Sequence, residues 1–103
     1  MKREKRIGEM EERFDLCRGA VSELALALER YEGALGELGI LTDYYEGGLW
    51  LEDFEADEAG ELPPELKRGV LSEDGVYDLL QGNGELETSM LGVLKKLSEM
   101  RNG

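Results

Sequence analysis

The chain has 103 residues, 24 acidic side chains against 12 basic ones, a formal charge of −12 and no histidine. That length predicts one domain, residues 1–103. The acid excess argues against binding DNA, RNA or an anionic membrane surface, because affinity for phosphate comes from clustered Lys and Arg. The missing histidine removes His-based acid–base catalysis, His-activated nucleophiles and His-ligated zinc.

No apolar run approaches the length of a membrane span. The first apolar residues are spaced rather than continuous, so no secretory leader is expected. Cys17 is the only cysteine and has no partner for an internal disulfide, which predicts a reducing, cytoplasmic setting. Such a composition suits a basic or cationic partner.

In chain order, the first predicted element is a long helix over residues 4–46. Ile7, Met10, Phe14, Cys17, Val21, Leu24, Leu28, Tyr31, Leu35, Leu38, Thr42 and Tyr45 are separated by alternating steps of three and four, a sustained heptad seam. Ala20, Ala27, Ala34 and Leu41 border it and permit close approach of a neighbouring helix. Gly8, Gly19, Gly33, Gly36 and Gly39 each cost about 1 kcal/mol relative to alanine in a helix, so fraying is expected after Gly36. Cys17, on the seam between Phe14 and Val21, reads as a buried, inert thiol. The basic residues of the opening MKREKR are followed by interleaved acids, which reads as a solvated face with mixed ion pairs rather than a nucleic-acid arm.

Gly47 and Gly48 predict a stop. A short helix over 49–56 follows, docked by Trp50 and Phe54 and ringed by acids. Gly60 and Leu62-Pro63-Pro64 end it, since a residue before proline is pushed toward extended structure. Residues 57–71 read as a loop with one turn. A second long helix is predicted over 72–100, with Ser72 as N-cap and Leu71 and Val76 placed as a hydrophobic staple. Its seam runs through Val76, Leu79, Asn83, Leu86, Met90, Val93, Leu97 and Met100. Gly82 and Gly84 flank Asn83, so two outcomes are expected: a bend or break at 82–84 with Asn83 in water, or a continuous helix in which Asn83 pairs across the seam.

The acids of the middle region raise the question of a metal. Asp53, Glu55 and Asp57 alternate like the start of a Ca²⁺-binding EF-hand loop, but the sixth position holds Glu58 instead of glycine and the twelfth holds Pro64 instead of glutamate, so the match fails. The pairs Glu9/Glu12 and Glu52/Glu55 have the E-x-x-E spacing of Mg²⁺- or Mn²⁺-dependent helical pyrophosphohydrolases. In a chain this acidic, such pairs arise by chance, and no cofactor, metal ligand or catalytic residue is assigned.

The stretch WLEDFEADEAGELPPELKRGVLSEDGVYDLL, residues 50–80, resembles a bacterial family known as domain of unknown function 4298. The shared positions include Trp50, Leu51, Asp53, Phe54, Glu55, Asp57, Glu58, Leu62, Pro63, Leu66, Lys67, Arg68, Gly69, Leu71, Ser72, Asp74, Tyr77 and Asp78. The resemblance implies a bacterial cytoplasmic protein and carries no activity with it. The Gln81-Gly82-Asn83-Gly84 segment and the glycine count depart from the family pattern.

These observations predict an all-α fold with two long antiparallel helices and a short helix and ordered loop between them, forming a four-helix bundle as a homodimer. The expected function is a protein–protein interaction or adaptor module. Its candidate surface is Trp50, Asp53, Asp57, Glu58, Lys67, Arg68, Asp74, Tyr77 and Asp78, facing a basic protein partner. The rival is a small metal-dependent enzyme acting on a phosphorylated or nucleotide ligand, with Lys67 or Arg68 holding phosphate and Asp74, Tyr77 and Asp78 lining the pocket. A third reading makes the middle region a connector in which Lys67 and Arg68 pair with local acids.

Overall fold

The structure, a computed structural model, describes every residue from Met1 to Gly103. It contains α1 (Lys2–Glu46), α2 (Leu49–Glu58), a 3-10 turn (Gly69–Leu71) and α3 (Gly75–Asn102), with no strand. The all-α expectation holds, with two long helices separated in the chain by a short helix and an ordered linking stretch. No helix is long and apolar enough to cross a membrane. The chain divides into two compact units, Met1–Gly39 and Ile40–Gly103.

The first unit is helix alone. α1 passes through Gly36 and Gly39 without fraying and continues to Glu46. No residue of α1 is buried. The seam side chains are open: Ile7 is 54% exposed, Phe14 56% and Val21 69%. Cys17 is exposed as well, which corrects its reading as a buried thiol. A seam position buries a side chain only when another element faces it, and this unit contains no second element. Arg18 pairs with Asp15 one turn away at 3.1 Å and lies over the Phe14 ring, 5.0 Å from its centre. Both contacts are local and exposed.

The second unit begins with the last turns of α1. Gly47 donates its N–H to the Asp43 carbonyl at 2.9 Å. Gly48 follows with φ of 96°, a left-handed conformation that suits glycine, and the chain turns straight into α2. This helix runs two residues beyond its predicted end, to Glu58. It closes in a Schellman motif: Gly60 N–H donates to Asp57 and Glu61 N–H to Ala56, each at 3.0 Å. Gly60 supplies the required positive φ of 73°. Gly60→Ala is expected to cost about 1–2 kcal/mol, because any side chain there is strained. Urea unfolding of the variant beside the native chain measures it.

After α2, Leu66 N–H donates to Pro63 at 3.1 Å, the turn expected within 57–71. The 3-10 turn then forms, with Leu71 N–H donating to Arg68 at 3.0 Å and Ser72 N–H to Gly69 at 3.2 Å. This turn packs against both α2 and α3. Leu71 and Val76, 6% and 4% exposed, are the buried apolar core. They are the two residues the sequence places as a staple, but the cap between them differs from expectation. Ser72 is extended, with ψ of 147°, and closes the 3-10 turn. The last helix starts at Gly75 rather than Ser72, with Asp74 as the capping residue and no side-chain cap bond. The Asp74 carbonyl accepts from Asp78 N–H at 2.8 Å. The Ser72 hydroxyl lies so close to Gly75 that a Cβ there would collide with it.

α3 is continuous through 82–84, which is the second of the two outcomes left open there. Two glycines at about 1 kcal/mol each lower the stability of a helix this long without interrupting it. Asn83 is half-buried rather than solvated. As on α1, seam residues of α3 are open, including Leu79, Val93 and Met100, which is 72% exposed.

Candidate functional site

The distinctive chemistry lies in the second unit, where the end of α1, α2 and the 3-10 turn meet. The tight Gly47-Gly48 joint returns α2 beside the last turn of α1. Tyr45 then meets Trp50 edge to face, with centroids 5.1 Å apart and planes at 66°. Trp50 stacks on Phe54, one turn along α2, at 5.0 Å and 17°. Such ring pairs add attraction beyond the area they bury. The Trp50 indole Nε1–H donates to the Val70 carbonyl at 2.8 Å, fastening α2 to the 3-10 turn.

Two polar contacts flank the aromatic row. The Tyr44 hydroxyl donates to Asp53 Oδ2 at 2.7 Å. Arg68 Nη1 donates to Asp57 Oδ1 at 2.6 Å, with both side chains partly buried. Asp53 and Asp57 are one turn apart on α2, so a single helix face bonds a phenol from α1 and a guanidinium from the linking stretch. Partial burial pushes the Tyr44 phenol from 10.0 up to about 12, helped by its bond to Asp53 and by that carboxylate's charge.

This shift sets a pH dependence. The unfolded tyrosine ionises near 10 and the folded one near 12. The stabilisation is therefore complete below pH 10, declines as pH rises and is gone once Tyr44 ionises in the folded state. Alkaline titration of phenolate absorbance is expected to show a late step near pH 12, absent in Tyr44→Phe. A Tyr44→Phe titration that keeps the late step would refute the assignment.

The nine candidate surface residues divide by exposure. Trp50, Asp53, Asp57 and Arg68 are partly buried, and their polar groups are engaged within the unit. Glu58, Lys67, Asp74, Tyr77 and Asp78 are exposed. Glu52, Glu55 and Glu61 line a shallow hollow beside α2 with Asp53 and Ala56. No three acidic or thiol side chains converge in a metal-holding arrangement. Sequence reasoning missed Tyr44 as a partner of Asp53 and the Val70 carbonyl as a partner of Trp50. The tyrosine had a signal, its place one turn before the Gly-Gly stop, whereas a backbone acceptor leaves none.

The family model described as Domain of unknown function (DUF4298) matches residues 7–93. No curated protein matches the chain, and no solved structure does.

Proposed function

The chain belongs to the DUF4298 family, and from that premise we propose that it is a protein–protein interaction module working through its helix faces. The observation that carries this reading is the mismatch between pattern and burial. Two heptad seams occupy most of the chain, yet Leu71 and Val76 are its buried apolar side chains. Soluble monomers rarely expose extended apolar surface, and such surface marks association sites. A helix also draws most of its stability from packing an apolar face rather than from intrinsic propensity.

On this reading the aromatic row and the Asp57–Arg68 pair are a connector that holds α2 in place. The helix seams make the contacts, giving a homodimer built as a four-helix bundle. The uncompensated acids on and just after α2 (Glu52, Glu55, Glu58 and Glu61) present a negative surface to a basic protein. Light scattering across a concentration series is expected to give twice the chain mass at micromolar concentration. A monomer throughout the series would refute it.

A further inference from the structure

We infer that α1 pairs with α1 of a second copy of this chain in antiparallel orientation. The inference rests on the association reading above and adds the partner, its direction and its register. Length supplies the first argument. α3 has 28 residues and α1 has 45, so α3 is too short to cover the α1 seam wherever it lies. At about 1.5 Å per residue, some 25 Å of α1 exceeds the length of α3.

Charge supplies the direction. Residues 2–6 carry Lys2, Arg3, Lys5 and Arg6 against Glu4, while the last turns of α1 carry Glu37, Asp43 and Glu46 and no base. This layout opposes the helix's own dipole, whose positive end lies at the N-terminus and negative end at the C-terminus. A parallel copy would stack like charges at both ends. An antiparallel copy sets the basic start of each helix beside the acidic end of the other, and opposes the two dipoles.

The seam supplies the register. Val21 meets Leu24 of the second copy about the two-fold axis, Cys17 meets Leu28, and Met10 meets Leu35. All six are exposed in the single chain. Phe14, Cys17, Val21 and Ala25 already line a shallow, mostly apolar hollow with Arg18 and Ser22, a seat for an incoming side chain. Ala20 and Ala27 flank the axis on one side, where small side chains let the helices approach closely.

The test places one spin label per chain in a Glu9→Cys, Cys17→Ala variant whose dimeric mass is first checked. The antiparallel register puts the two labels about 40 Å apart, from 27 residues of axial offset at 1.5 Å each. Glu12→Cys, expected at about 30 Å by the same rise, replaces Glu9→Cys if that variant disturbs association. A dimer with labels within about 15 Å, near the spacing of adjacent helices, overturns the inference and leaves the association reading intact. A native chain that stays monomeric overturns both. Reversing charge with Lys5→Glu and Arg6→Glu is expected to weaken the dimer at least tenfold, and an unchanged affinity overturns the charge argument for direction.

Discussion

Leu71→Ala is expected to remove about 3 kcal/mol from the Ile40–Gly103 unit, the usual range for truncating a buried leucine. Leu71 is 6% exposed and its only buried apolar companion is Val76. It sits in the 3-10 turn that packs against both α2 and α3, so truncation opens a void at the point where the unit's elements meet. A small unit has only a few kcal/mol in hand, so the loss consumes much of its stability. Urea unfolding followed by circular dichroism and by Trp50 fluorescence measures it. Leu16→Ala, at a position 73% exposed, is the control and should shift stability by no more than about 0.5 kcal/mol. Equal effects of the two substitutions would show that Leu71 is not the centre of this unit.

Trp50→Ala is the second large effect, expected at about 3 kcal/mol. That is the lower end of the range for buried aromatic truncation, because Trp50 is half-buried. Three contacts go together: the edge contact with Tyr45, the stack on Phe54 and the bond to the Val70 carbonyl. Trp50→Phe separates them. It keeps a ring between Tyr45 and Phe54 but removes the N–H donor, and is expected to cost about 1 kcal/mol, the net value of one hydrogen bond. Thermal unfolding of both variants gives the difference. A phenylalanine variant as unstable as the alanine one would assign the stability to the hydrogen bond instead of the rings.

The helices were legible because their information is local. Heptad spacing, the Gly-Gly stop, Gly60 and the Leu62-Pro63 break act within a few residues, and α1, α2 and α3 follow them closely. The difference at Ser72 is also physical. A serine followed by acids satisfies the chemistry of a helix cap, and Ser72 has the extended backbone a cap takes, but residues 73–74 form a turn before the regular helix begins at Gly75. The glycines around Asn83 left a break and a continuous helix both open, because each glycine is unfavourable alone, and a helix of 28 residues tolerates both.

The middle region was legible in part. The pairing of Arg68 with a nearby acid follows from the excess of carboxylates around it, but the choice of Asp57 depends on how the linking stretch returns to α2. The exposure of Cys17 shows the limit from the other side. Periodicity identifies the face of a helix that seeks cover, and the covering element need not belong to the same unit.

The contacts between α2 and the linking stretch are nested in the chain. Asp57 and Arg68 lie 11 residues apart, inside the 20-residue span from Trp50 to Val70. Closing a flexible loop costs entropy that grows with its length. Once the inner ion pair forms, only short tethers separate Trp50 from Val70, so the outer bond closes a much smaller effective loop. The arrangement therefore favours an order of assembly: the charged pair draws the linking stretch back first, and the indole then latches it. Charge draws the chain together over distance and the directional bond fixes its final geometry, so an acidic helix with one well-placed arginine can shape a proline-interrupted segment with little apolar core beneath it.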